Sequence, residues 1–433
     1  MEFFVFWILL IIALMMGIQI GFALAIGAFG LIFIYADGLP WTGVLSVMAE
    51  RMFEASNTFS LLALPLFFFA GGLMDAGGIS TRLVNFAMVF VGWIRGGLSM
   101  VVVVAEMFLS GISGSASADA AAIGSTMIPA LKRRGYSPEY SAALVASAGA
   151  LGPIIPPSIG MVVYGSMADV SISRLFIGGI IPGVLFGVGL IIICYVMARI
   201  RGYPTEGSLP SLTQINHAFR EAILPLMAPV IILGGIFTGA FTATESAMVA
   251  VVYGFVVSKF IYRSITWRQA YEICYESALG SARVMFIIAT AAFVGWILAR
   301  LQVPQTVADA LLTLSSNKYI ILIIINLMLL VLGCFLEGLA IMIIMIPTLL
   351  PVLVALQIDL VFFGVMLVIN LAIGTVTPPV GVSLVVTSAI ANVRFEKTFV
   401  ELLPFAGIMI AMLMAIIFFP EIVVWLPDRV FNK

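Results

Sequence analysis

The 433-residue chain is 63% apolar and only 9% charged, with a net charge of −1 and a mean hydropathy of +1.22. This composition excludes a soluble enzyme and describes an integral membrane protein whose surface faces lipid or other helices, with no nucleic-acid partner expected. The single histidine, His217, excludes a zinc cluster, and Cys194, Cys274 and Cys334 lie apart in apolar surroundings, as buried thiols would.

Phe3 to Met16 and Phe22 to Tyr35 form two apolar segments, joined by Gly17-Ile18-Gln19-Ile20-Gly21, a spacing that lets helices pack closely. The run lacks a basic leader and is too long for a removable signal, so it is retained membrane structure. Trp41 to Ala55 is amphipathic, with Val44, Val47, Met48 and Met52 opposite Glu50, Arg51 and Glu54, and reads as an interfacial helix. Phe59 to Met74 spans, and Thr81 to Trp93 makes a shorter arm.

Between Leu98 and Leu131 the apolar character is interrupted by the small, hydroxyl-rich run Ser110 to Asp119. Such a run is too polar for lipid and marks the tip of a re-entrant hairpin, closed by Lys132-Arg133-Arg134. Tyr140 to Met167 contains Gly152-Pro153-Ile154-Ile155-Pro156-Pro157-Ser158 and forms a broken span. Leu175 to Met197 is unbroken, and the polar stretch from Arg201 to Ala218 links two halves.

The second half repeats the plan 222 residues later, pairing Gly333 with Gly111, Gly374 with Gly152, Pro378 with Pro156 and Pro404 with Pro182. A one-residue slip after the prolines aligns Ala168 with Ala391 and then disappears. The expected elements are Ile223 to Thr238, Ala243 to Phe260, an interfacial helix Trp267 to Ala278, Val284 to Leu298, and an arm near Gln305 to Leu314. A hairpin follows from Tyr319 to Leu356 with Gly333 to Gly338 at its tip, then the broken span through Gly374-Thr375-Val376-Thr377-Pro378-Pro379-Val380-Gly381, and Phe405 to Trp425.

The fold class is therefore all-α and polytopic: two inverted-topology repeats, each with a re-entrant hairpin and a broken helix. Residues 1–201 form the first repeat (scaffold 1–94, hairpin and broken helix 95–170, connecting helix 171–201), and 202–217 the cytoplasmic linker. Residues 218–433 form the second (scaffold 218–316, hairpin and broken helix 317–393, final helix 394–433). With the linker inside, Arg82, Arg95, Lys132, Arg133, Arg134, Arg199, Arg201, Arg220, Lys259, Arg263, Arg268, Arg283, Arg394 and Lys397 are cytoplasmic. Only Arg51, Arg174, Arg300, Lys318, Arg429 and Lys433 lie outside, an asymmetry that agrees with the positive-inside rule and puts both termini in the periplasm.

A Pro-Pro pair removes two backbone donors and breaks a helix, and broken backbone at membrane depth is tolerated only where protein or a polar cavity surrounds it. Backbone carbonyls there supply the hard oxygens a desolvated sodium ion needs. Two sodium sites are expected, one at Ser110, Gly111, Ser113, Gly152, Ile155, Pro157 and Ser158, the other at Gly333, Gly374, Thr377 and Val380. The plainer reading is that the prolines only kink helices for packing. An organic anion is favoured between the hairpin tips, where helix N-termini converge, with Ser115, Ser117, Asp119 and Thr375 as neighbours. Asp119 and Glu337 have capping a hairpin helix as an alternative role, and Glu245 reads as a cap.

The Ser110-to-Asp119 run, the Gly152-to-Ser158 segment and Thr377-Pro378-Pro379-Val380-Gly381 together resemble the large membrane subunit of TRAP (tripartite ATP-independent periplasmic) transporters, over essentially the whole chain. The resemblance implies a sodium-coupled importer in a bacterial inner membrane, moving carboxylates such as C4-dicarboxylates or sialic acid by an elevator-type movement. It also implies a soluble periplasmic substrate-binding protein and a small four-helix membrane subunit. Because Met1 already opens the first repeat, that subunit is expected as a separate chain. A stand-alone sodium/dicarboxylate symporter of the related elevator fold and, more remotely, an intramembrane enzyme are the alternatives.

Overall fold

The computed structural model describes residues 2–35, 41–203, 205, 209–315 and 317–431. The first half comprises α1 (Glu2–Met15), α2 (Ile20–Tyr35), α3 (Trp41–Ser56), α4 (Ala63–Ala76, entered by a 3-10 turn, Phe59–Leu62) and α5 (Ile79–Val91). It continues with α6 (Gly97–Ser113), α7 (Ala116–Arg133), α8 (Pro138–Gly149), α9 (Ile159–Ala168) and α10 (Ile172–Arg201). The second half opens with α11 (Leu212–Phe237), α12 (Ala243–Val256, running into a π-turn, Val257–Ile261), α13 (Trp267–Arg300) and α14 (Val303–Leu314). It ends with α15 (Lys318–Gly333), α16 (Gly338–Ala355), α17 (Leu360–Gly374), α18 (Val382–Ala391), α19 (Phe395–Phe418) and α20 (Glu421–Phe431). Among the described residues, seven helical stretches are long and apolar enough to cross a bilayer.

The repeat holds helix by helix, with α6, α7, α8 and α9 matched by α15, α16, α17 and α18. Ser137 starts α8 by accepting the Tyr140 amide at 3.2 Å, and Asp359, 222 residues on, starts α17 by accepting the Phe362 amide at 2.8 Å. The slip is also visible: Ser158 alone separates the first proline pair from α9, whereas Val380 and Gly381 separate the second from α18. Gly381 takes φ +52° there, a left-handed conformation that suits glycine.

The halves interlock. α18 packs on α7 and α8, while its mate α9 packs on α16 and α17, the reciprocal exchange that a pseudo-two-fold axis produces. The offset repeat and this reciprocal packing are the pattern of two inverted-topology repeats. Every residue from Tyr140 to Gly149 and from Val361 to Gly374 is buried, so the two helices that carry the breaks lie at the centre of the molecule.

Four expectations are corrected. The linker is shorter, because a Ser211/Gln214 capping box starts α11 at Leu212; residues 204 and 206–208 lie outside the described residues, as do Met1 and Lys433 at the termini. Trp267 to Ala278 and Val284 to Leu298 are one 34-residue helix, since Ser277 and Ser281 return their hydroxyls to carbonyls one turn back, both at 2.7 Å, and leave the helix intact. The last apolar segment is broken at Phe419-Pro420, between α19 and α20. Of the three free thiols only Cys194 is buried; Cys274 is exposed.

Candidate functional site

The first hairpin turns at Gly114 and Ser115 alone, narrower than the Ser110-to-Asp119 run. Ser110, Gly111 and Ser113 form the last turn of α6, where carbonyls have no amide four residues ahead. Gly114, at φ +67°, sits on the first break so closely that a methyl group there would lie 2.7 Å from the Pro157 carbonyl oxygen. A methyl group at Gly152 would meet Asp119 Oδ2 at 2.5 Å and the Ser115 carbonyl carbon at 2.9 Å. Ser158 starts α9 by accepting the Met161 amide at 3.3 Å. The predicted residues of the first site are therefore gathered around one junction.

The second junction is built alike. A methyl group at Gly374 would stand 2.9 Å from Gly333 Cα, so two glycines let tip and break meet backbone to backbone. The Val380 amide donates to the Cys334 carbonyl at 3.0 Å, joining break to tip. Thr377 turns its hydroxyl to the Ile373 carbonyl at 2.7 Å. Both proline pairs, Pro156–Pro157 and Pro378–Pro379, are joined by cis bonds.

Within the described residues, the carbonyls of Gly152, Ile155, Pro157, Gly333, Thr377 and Val380 accept no hydrogen bond, while that of Gly374 accepts one from the Thr377 amide at 3.1 Å. Backbone oxygens of this kind are hard donors. No cluster of three His, Cys, Asp or Glu side chains occurs among the described residues, so the available ligands are hard oxygens.

Between the junctions lies a cavity of about 350 Å³. Ser115 and Ser117 from the first tip, Glu337 and Gly338 from the second, and Thr375 and Ser383 around the second break line it. Its walls include Phe68 and Phe335. The size suits a small organic molecule. Asp119 is not on this wall; it is 1% exposed, behind the tip, and accepts a hydrogen bond from the Ser113 hydroxyl. Neither Asp119 nor Glu337 makes a helix-capping bond, whereas Glu245 does, accepting the Thr242 amide at 2.8 Å.

Two residues stand out that the motifs did not mark. Arg283, counted above with the cytoplasmic charges, is the one basic side chain among the described residues of the cavity wall. Its signal was an arginine isolated between Glu276 and Arg300 in the otherwise apolar part of α13, one turn before Ile287 on the same wall. Glu106, in the middle of α6, is fully buried with neither carboxylate oxygen hydrogen-bonded within the described residues. A single acid in the apolar run from Leu98 to Leu109 was the signal there.

Residues 7–422 match the family model described as tripartite ATP-independent periplasmic transporter, DctM component. The chain is 41% identical over 409 residues to the isethionate TRAP transporter permease protein DctMQ of Oleidesulfovibrio alaskensis, a match covering 94% of this chain and 64% of that protein. It is 39% identical to the C4-dicarboxylate TRAP transporter large permease protein DctM of Pseudomonas aeruginosa, covering 88% of this chain and 89% of that one. It is 37% identical to the sialic acid TRAP transporter large permease protein SiaM of Vibrio cholerae, covering 95% of each. Among solved structures, the YdaH transporter of Alcanivorax borkumensis shares the fold, with a TM-score of 0.62 over 88% of both chains at 14% identity. With its paired hairpins and paired breaks, this chain belongs to the DctM family of TRAP transporters, as a multi-pass large permease component.

Proposed function

We propose that this chain is the permease of a sodium-coupled importer of small organic carboxylates in a bacterial inner membrane. Cargo would arrive on a soluble periplasmic binding protein, and a separate small membrane subunit would complete the complex, with both termini of this chain periplasmic. The observation that carries the reading is the cavity shared by both tips and the second break, with Arg283 as its basic residue. A guanidinium holds a carboxylate through two parallel hydrogen bonds, and the N-terminus of α16 adds partial positive charge beside it. The relatives named above for isethionate, C4-dicarboxylates and sialic acid have anionic cargo in common.

Sodium coupling is supported by the unpaired carbonyls at the two junctions, which offer one ion site each without burying a further charge. An elevator-type movement is supported by an asymmetry between the halves. In the first, α6 packs on α4 and α5; in the second, it is α16, the mate of α7, that packs on α13 and α14. Exchanging those roles would carry the hairpins and breaks past the scaffold and open the cavity to the other side.

The test is uptake by vesicles holding this chain and its small subunit, over a panel of carboxylates, with and without binding protein and a sodium gradient. Uptake should require both. Arg283→Gln should raise the half-saturating cargo concentration by about tenfold or more, the scale of a charged hydrogen bond, and Arg283→Lys should recover part of it. Equal uptake without sodium would refute the coupling, and uptake without binding protein would mark a stand-alone symporter.

A further inference from the structure

The first hairpin holds a polar cluster that runs inward from the first junction and shares Ser110 and Ser113 with it. Glu106, Ser110 and Ser113 are spaced four and three residues apart, so they share one face of α6. Asp119, in the first turn of α7, lies across the tip, bonded to the Ser113 hydroxyl and within electrostatic reach of Glu106. Glu106 and Ser110 are 0% exposed and Asp119 is 1% exposed. Both Glu106 oxygens, Ser110 Oγ and Asp119 Oδ2 lack a hydrogen-bond partner within the described residues, and neither carboxylate forms an ion pair there.

Two buried carboxylates at close range repel, and a buried charge without a partner is not sustained. For Asp119 the N-terminus of α7 and the Ser113 hydroxyl answer the charge. For Glu106, in mid-helix, nothing does. The cluster therefore calls for one positive charge in contact with several hard oxygens, which describes a monovalent cation of sodium's type. A proton on Glu106 would also cancel its charge; a cation differs in that its binding depends on sodium and not on pH.

We propose that Glu106, Ser110 and Asp119 form a side-chain cation site inside the first hairpin, taking one sodium ion, distinct in ligand type from the backbone cages at the two junctions. The second half has no copy of it: the matched positions are Met328, Leu332 and Ile341, none of which offers an oxygen. The site does not depend on the cages being occupied.

Equilibrium binding of radioactive sodium to the full chain in lipid nanodiscs, with choline replacing sodium as the control, tests the proposal. Glu106→Gln should lower bound sodium by one ion per chain and remove part of the sodium-dependent rise in melting temperature. Ser110→Ala, which leaves the charge in place, should weaken one class of site about tenfold, equivalent to about 1.4 kcal/mol. Gly374→Ala, which pushes a methyl group against Gly333 at the second junction, separates the two readings. Loss with Glu106→Gln but not with Gly374→Ala keeps this site and counts against the second cage; loss with Gly374→Ala but not with Glu106→Gln overturns this site. An unchanged sodium count in folded Glu106→Gln protein overturns it, as does a Glu106→Gln effect that depends on pH and not on sodium. Should Glu106→Gln fail to fold, unaltered sodium affinity in Ser110→Ala decides against it.

Discussion

The first hairpin with its broken helix, α6 to α9, and the second, α15 to α18, share a backbone plan and differ in what fills it. Buried acids and hydroxyls, Glu106, Ser110 and Asp119, line the first, where the second has Met328, Leu332 and Ile341. The second instead buries a neutral pair: the Asn370 amide donates to the Asn326 backbone and side-chain oxygens at 2.9 and 2.8 Å, at positions held by Val104 and Ala148 in the first. Their settings differ as well. α6 is enclosed by α4, α5, α10 and α11, whereas α15 leaves Leu327 and Val331 exposed. Main-chain geometry is thus the symmetric part of the design, and fully buried charge is one-sided, placed in the better-enclosed copy. Low dielectric strengthens a cation–carboxylate contact, so that enclosure favours selectivity in one half only.

The comparison can be broken most directly at its glycines. Gly374→Ala and Gly333→Ala each push a methyl group against the facing glycine backbone, at 2.9 and 3.0 Å, and should cut sodium-driven uptake about 100-fold, as a loss near 3 kcal/mol would. The first-half mate of Gly333 is Gly111, whose added methyl group meets the Pro229 ring at 3.1 Å; overpacking there, of order 1 kcal/mol, should lower uptake only several-fold. Equal loss in both would show that the junctions are packed alike. Asn370→Ala should destabilise the protein by about 2 kcal/mol in thermal melting, because a buried pair of hydrogen bonds is lost; no matching stabilisation awaits at Ala148. The smallest effect is expected at the matched helix starts, where Ser137→Ala and Asp359→Ala should each cost about 1 kcal/mol. A marked difference between them would sharpen the contrast between the halves.

The breaks were legible because proline carries its consequence locally: it lacks an amide proton and restrains the residue before it, wherever it sits. The offset of 222 residues then located the tips, and even the extra residue before α18 could be read from the alignment of Ala168 with Ala391. What escaped depended on tertiary partners. Asn57-Thr58 does interrupt the helix between α3 and α4, where the Thr58 hydroxyl lies 3.1 Å from that of Ser166, while Leu279-Gly280 at the equivalent place does not. Thr58 brings a hydroxyl that finds a tertiary partner, and Gly280 at the matched position has no side chain to do so. Glu106 and Arg283 were passed over for a related reason. An isolated charge in an apolar run says that a partner is needed, but only the fold brings Glu106 within electrostatic reach of Asp119 and Arg283 to the border of the cavity.

At the end of α7, the Lys132 ammonium donates to the Ala391 carbonyl at the end of α18, 3.0 Å away, and α18 is itself wedged between α7 and α8. One half's last short helix is thereby stitched into the other half's hairpin. In the proposed elevator movement a shift of either would drag its neighbour, so ions held at the two junctions would set out and arrive as a single load.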